Sequence, residues 1–120
     1  MKVEIRVTKN FKKEAKPLIK KYPSFLVDLE SLEKSLLLNP TFGESLGKNV
    51  YKIRLRIASK GKGKSGGARV ITYLEKEIIA VAEISAGEKT IVNLLTIYDK
   101  SERETISDKE LKAFINNLEI

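Results

Sequence analysis

The segment from Val50 to Ile57 alternates along its length: Tyr51, Ile53, Leu55 and Ile57 fall on one side, Lys52, Arg54 and Arg56 on the other. A period of two fits a strand that lays one face on a core. The second face carries three like charges, which repel one another and cost stability on a plain surface. A strand turned to solvent usually mixes signs, as Lys2, Glu4 and Arg6 do between Val3, Ile5 and Val7. The uniform sign therefore points to a face held open for an anion, unless acidic side chains of a neighbouring helix cover it.

This strand belongs to a longer stretch without a single acidic residue, Leu46 to Leu74, bracketed by Glu44 and Glu75. Eight basic residues lie in it: Lys48, Lys52, Arg54, Arg56, Lys60, Lys62, Lys64 and Arg69. The chain has 23 basic and 16 acidic residues, so the net charge of +7 is one cationic element on an otherwise balanced protein. Such a concentration is the electrostatic footprint of a polyanion partner, most often nucleic acid. A length of 120 residues fits one domain spanning 1–120. The absence of cysteine excludes disulfides and thiol chemistry and suits a reducing cytoplasm. The absence of histidine removes the commonest general base and disfavours zinc, so the expectation is no metal and no cofactor. The start, MKVEIRV, lacks the apolar core of a signal peptide, and no run of about 18 apolar residues exists to cross a membrane.

Read in order, Val3, Ile5 and Val7 predict a half-buried first strand. Phe11, Ala15, Leu18, Ile19 and Tyr22 predict a helix among lysines, with Pro17 kinking or dividing it. Ser24 reads as the N-cap of a second helix, with Phe25, Leu29, Leu32 and Leu36 as its apolar stripe. Thr41 to Asn49 reads as a loop and Val50 to Ile57 as a strand. Ser59 to Gly67 is a loop of glycine, lysine and serine. Ala68 to Leu74 is a strand in which Arg69, Ile71 and Tyr73 share a face. Ile78 to Ile84 is β-capable, Ala86 to Lys89 reads as a turn, and Thr90 to Tyr98 as the last strand. Ser107 and Glu110 form a capping box for a closing helix with Leu111, Phe114, Ile115 and Leu118 inward. The expected class is α+β: two N-terminal helices and a C-terminal helix on a small antiparallel sheet.

Gly61 to Gly66 matches the spacing of a dinucleotide-binding fingerprint, but that motif must open a helix, and here a strand is expected. The loop remains a cationic tip whose lysines alternate with glycine, suited either to phosphates or to solvent. Tyr98 and Lys100 follow the last strand and could converge with Arg69 and Tyr73 on one surface.

Three strings carry a family resemblance: Tyr51-Lys52-Ile53-Arg54-Leu55; Lys62 to Ile71 (KGKSGGARVI); and Leu94 to Glu102 (LLTIYDKSE). In that order the chain resembles the RelE/HigB toxins of type II toxin–antitoxin modules. The resemblance implies a microbial-RNase-like sheet with two N-terminal helices, and metal-independent cleavage of messenger RNA on the ribosome. It implies as partners a cognate antitoxin protein, messenger RNA and the ribosome with its 16S rRNA, all in the cytoplasm. Lys52 and Arg54 match the family's basic pair on the strand before the loop, and Arg69 its arginine on the next strand. Lys100 matches a basic position after the last strand, and Tyr98 the tyrosine of the HigB-like branch. Arg54 stands where RelE-like members have lysine, and the late tyrosine of RelE proper has no counterpart after Lys100.

The implied chemistry is attack of a ribose 2′-OH on its own phosphate. Lys52 is the candidate base, with Tyr98 or Lys64 as alternatives, because crowded cations favour a neutral lysine. Arg54 and Arg69 would hold the phosphorane oxygens, and Lys100 or Tyr98 would protonate the leaving oxygen. Arg56, Lys60, Lys62, Lys64, Tyr73 and the lysines of the first helix would grip RNA. Two rival readings remain: a ParE-like module that binds gyrase, and a non-catalytic nucleic-acid-binding domain.

Overall fold

A computed structural model describes residues 2–61, 66–81, 84–103 and 105–119. Among these residues the order is β1 (Lys2–Val7), α1 (Lys9–Lys21), α2 (Phe25–Leu38), β2 (Glu44–Gly47), β3 (Val50–Leu55), a 3-10 turn (Ala58–Lys60), β4 (Ala68–Val81), β5 (Ile84–Asp99) and α3 (Asp108–Asn116). The strands form one sheet in the order β1-β5-β4-β3-β2. The class is α+β, as expected, but the sheet is mixed rather than antiparallel. β1 runs parallel to β5, with Val3 opposite Thr90 and Val7 opposite Leu94. Parallel neighbours need a long connection. β1 and β5 are separated by all the intervening elements of the chain, so nothing in a local pattern reveals their pairing.

Helices pack on both faces. Phe11, Ala15 and Leu18 of α1 and Phe25, Leu32 and Leu36 of α2 are buried against Ile53, Leu55, Val70, Val92, Leu94 and Ile97. On the opposite face Leu111 of α3 is buried, with Ile106, against Val50, Ile71, Leu95 and Tyr98. Burial of a side chain such as Phe25 contributes about 3 kcal/mol. The apolar stripes expected of all three helices are the ones used. Pro17 does not divide α1, which continues to Lys21. α1 begins at Lys9, where the Thr8 hydroxyl accepts from the Phe11 amide at 3.2 Å. Ser107 accepts from the Glu110 amide, as the capping box requires. Ser24 stands at the N-cap of α2 but makes no capping bond with its side chain, which bonds Asp28 and Ser59 instead.

Two irregularities decide which side chains face where. Opposite the step from Ile71 to Thr72, β5 carries Thr96 and then Leu94, so Leu95 is an extra residue in the ladder. The bulge turns Leu94 into the α1–α2 core and Leu95 into the α3 core. The bulge carbonyl does not go unpaired: Leu95 O accepts from Asn10 Nδ2 at 2.9 Å, and Thr8 Oγ1 reaches Leu94 O at 2.7 Å. The second irregularity lies between Ile78 and Ala80, opposite Glu88 and Ser85. Gly87 there has φ +95°, a conformation that favours glycine. Ala86 to Lys89, expected as a turn, therefore lies inside β5, and its glycine sits at a bulge. β4 and β5 form one long hairpin rather than three shorter strands. Thr41 to Asn49 is likewise not all loop, because β2 pairs with β3.

Gly67 marks the tightest approach of backbone to backbone. A Cβ built there would lie 2.1 Å from the Leu55 carbonyl oxygen and 3.2 Å from Arg56 Cα. Neither contact is with a flexible side chain, so Gly67→Ala must displace the end of β3. The variant should lose about 3 kcal/mol of unfolding free energy in urea denaturation. An unchanged midpoint would show that the loop moves aside without cost.

Candidate anion-binding site

The faces set by β3, β4 and β5 bring the cations together. Arg54 is opposite Arg69, and Arg69 is opposite Tyr98, so these three form one row across the sheet. Lys52, Ile71 and Thr96 form the neighbouring row. α3 covers the part of this face that carries Val50, Ile71, Leu95 and Tyr98. Beyond α3, a cavity of about 480 Å³ is lined by Phe42, Gly43, Glu44, Lys52, Arg54, Arg69 and Lys100. Four of the five residues expected to carry chemistry thus share one cavity.

Two guanidinium groups directly across a ladder repel. Arg69 is also 4 % exposed, and its Nη1 donates to the Ala68 carbonyl at 3.2 Å. Lys52 and Arg54 have no acidic partner within 4 Å among the described residues, so the helices do not neutralise this strand face. α1 lies on the other face of the sheet, and none of its lysines lines the cavity. An anion entering between these groups relieves their repulsion and receives bidentate or point-charge hydrogen bonds.

Glu44 is the carboxylate of the cavity, and sequence reading passed over it as a bracket of the cationic stretch. It sits on edge strand β2 with Lys52 as its register partner. The missed signal is the sharp turn that follows: Lys48 and Asn49 both have positive φ, 50° and 65°, the conformation of a tight hairpin turn before an alternating strand. Among the described residues no three Asp, Glu, His or Cys side chains gather as a metal site.

The remaining expected residues are placed elsewhere. Tyr98 is buried, and its hydroxyl has no hydrogen-bond partner among the described residues. Burial raises its pKa, against the lowering effect of Arg69 and Arg103. It lines a different cavity, with Asn10, Glu14 and Glu110, and the Arg103 guanidinium lies 5.9 Å from its ring centroid. Tyr73 is half-buried and packs on the α3 core. Arg56 is exposed just past β3. Lys62 and Lys64 lie outside the described residues.

Lys60 departs most from expectation. Instead of a free loop cation it is the partner of a buried carboxylate. Its Nζ donates to Asp99 Oδ1 at 2.8 Å, and the side chains are 12 % and 0 % exposed. Tyr22 donates to Asp99 Oδ2 at 2.6 Å. Ser101 donates to Oδ1 through its amide at 2.9 Å and its hydroxyl at 2.7 Å. Burial pushes this carboxyl up, but the hydrogen bonds from Lys60, Tyr22 and Ser101 outweigh it and hold Asp99 well below the usual carboxylate range. The hydrogen bond with Asp99 raises Lys60 in turn, against its own desolvation. The turn pinned at Ser101 contains Lys100, whose amide donates to the Gly67 carbonyl at 3.0 Å. Asp99 never touches the cavity, yet it fixes the backbone that delivers Lys100 to it.

Asp99→Asn keeps the shape but leaves Lys60 with no opposite charge, and should lose about 3 kcal/mol at neutral pH. The folded carboxyl is a stronger acid than the unfolded one. Its stabilisation is therefore whole above about pH 5 and lost progressively as pH falls below the unfolded value of about 4. Urea titrations at pH 7 and pH 3 should show the gap between wild type and variant narrowing at the lower pH; a constant gap would remove Asp99 as its source. No known protein-family model matches the chain.

Proposed function

We propose that this chain is the toxin of a type II toxin–antitoxin module, a RelE/HigB-like endoribonuclease that cuts messenger RNA on the ribosome without a metal. The observation that carries the reading is the convergence of Lys52, Arg54, Arg69 and Lys100 around one cavity that also holds the Glu44 carboxylate. A module that only binds DNA gyrase, or a basic domain that only binds nucleic acid, needs positive charge but no such convergence. This favours the nuclease over both rivals.

The reaction needs a proton acceptor, charge stabilisation and a proton donor. The 2′-oxygen loses its proton to a base and bonds to phosphorus. The bond from phosphorus to the 5′-oxygen breaks, and that oxygen takes a proton. The products are a 2′,3′-cyclic phosphate and a free 5′-hydroxyl. Arg54 and Arg69 face each other across β3 and β4 and are assigned to the phosphorane oxygens, where each charge is worth a few kcal/mol. Lys100 is assigned to the leaving oxygen. The backbone that carries Lys100 is held by the Asp99 turn and by the bond from its amide to the Gly67 carbonyl. Tyr98 is the weaker donor, because its hydroxyl is buried away from the cavity. Two residues of the cavity are candidates for the base, Lys52 and Glu44. Such a toxin implies an antitoxin that covers the cationic face.

Lys52→Ala combined with Arg69→Ala should abolish growth arrest on induction and lower cleavage of ribosome-bound messenger RNA by at least 10³-fold, by an order-of-magnitude reckoning from single charge deletions. Circular dichroism of the purified variant controls for folding. A folded double variant that remains toxic would overturn the assignment. The single variants Lys52→Met and Glu44→Gln then assign the base. The group that takes the proton is the one whose loss lowers the single-turnover rate by about 10²-fold or more.

A further inference from the structure

β2 covers only the first half of β3. Its register partners are Val50, Tyr51 and Lys52, and among the described residues no strand of the sheet lies outside Ile53 to Leu55. α2 flanks this free edge instead, and between them lies a second cavity of about 270 Å³. Its lining includes Ser31 and Ser35 of α2, Phe42, Arg54 and Arg56. Phe42 and Arg54 also line the first cavity, so the two cavities are neighbours around the edge of β3.

Their chemistry differs in the way the parts of a nucleotide differ. The first chamber is cationic and suits a phosphate. The second combines apolar wall from Phe42, Leu32 and Ile53 with the hydroxyls of Ser31 and Ser35, and its one carboxylate, Asp28, already accepts from the Ser24 hydroxyl and the Ala58 amide. Ser35 Oγ donates to the Ser31 carbonyl at 3.1 Å, which leaves its oxygen able to accept. Arg56 stands at this chamber with no ion-pair partner among the described residues. Aromatic and guanidinium planes are general platforms for a nucleobase, and a base set beside a phosphate clamp is how single-stranded nucleic acid is held in register.

We propose that the second chamber is a nucleoside subsite, which takes the base and ribose flanking the phosphate held by Lys52, Arg54, Arg69 and Lys100. The base stacks at Phe42 and Arg54 and meets the hydroxyls of α2, and Arg56 takes the next phosphate along the strand. The inference rests on the reading of the first cavity as a phosphate site. Registering one base against the cations also makes α2 and Phe42 the part of the protein that sets preference for the flanking base.

The test compares inorganic phosphate with a dinucleoside monophosphate, adenylyl-adenosine, titrated into the full chain at fixed ionic strength and followed by NMR. The dinucleotide should bind the wild type at least tenfold more tightly than phosphate. Ser31→Trp, a substitution on the exposed side of α2, fills the second chamber and should remove that advantage without changing phosphate binding. Arg56→Ala should weaken a trinucleotide, which alone carries the next phosphate, by at least tenfold more than it weakens the dinucleotide; an equal loss for both would remove Arg56 from the next phosphate. Phosphate binding with no dinucleotide advantage would overturn the subsite and leave the phosphate site standing. An advantage that survives Ser31→Trp in the folded variant would also overturn it. Failure of both ligands to bind the wild type would overturn the phosphate site and the subsite together.

Discussion

The carboxylate of Asp99 is the buried centre of the contacts that hold three distant parts of the chain together. A charge taken fully out of water costs several kcal/mol unless its lone pairs are occupied. Here Tyr22, Lys60 and Ser101 occupy them with four hydrogen bonds of 2.6–2.9 Å. Tyr22 caps the end of α1, Lys60 closes the 3-10 turn after β3, and Ser101 begins the chain's exit from β5. One buried ion therefore joins a helix end, a loop and a strand end. Lys60 and Lys21 both lie over the Tyr22 ring, at 5.6 and 5.3 Å from its centroid, which adds a cation–π attraction to the same knot. The outcome that matters for the cavity is placement. Lys100 has a long, flexible side chain, but its backbone is tied at Ser101 on one side and at Gly67 on the other.

The sheet supplies the second constraint. A strand whose two faces were both covered by helices could not present three cations, because buried like charges without partners are too costly. The bulge at Leu95 gives α3 its own apolar seat on the face opposite α1 and α2. α3 is short, nine residues, and its seat ends before Lys52 and Arg54. The uncovered remainder of that face is the cationic cavity. Its charge comes from neighbouring rows of one ladder, so distances among Lys52, Arg54 and Arg69 are set by strand spacing rather than by loop conformation.

Local periodicity was enough to read the helices, their inward stripes and the two-sided character of β3. It also placed Lys52 and Arg54 on one face of their strand, whereas Arg69 joins them only through the register of β3 against β4. What it could not reveal depends on contacts between distant positions. Asp99 reads as the polar end of a strand until Tyr22 and Lys60 are beside it. Lys60 reads as one more loop lysine for the same reason. Glu44 looked like a boundary because its strand is four residues long and polar, with no alternation to betray it. The Ala86 to Lys89 turn failed differently: Gly87 has the turn's chemistry, and a bulge uses the same backbone conformation as a turn.

The basic residues of the acid-free stretch have different places in the fold. Counted along the chain, its eight basic residues look equivalent, and a generic polyanion surface would use them so. In the fold Lys60 is spent on Asp99, a carboxylate that lies outside the stretch. Lys52, Arg54 and Arg69 are fixed on strands, and Lys100, also from outside, completes their cavity. Arg56 lines the neighbouring cavity, which shares Phe42 and Arg54 with the first. A surface that attracts polyanions by net charge alone tolerates many arrangements of its lysines. This arrangement depends on one register of β3 against β4, one bulge and one buried acid. A slip of one residue would turn Lys52 and Arg54 into the α1–α2 core. The positions of Lys52, Arg54 and Arg69 are thus specified to the residue, which is what the proposed phosphate site requires and what attraction by net charge does not.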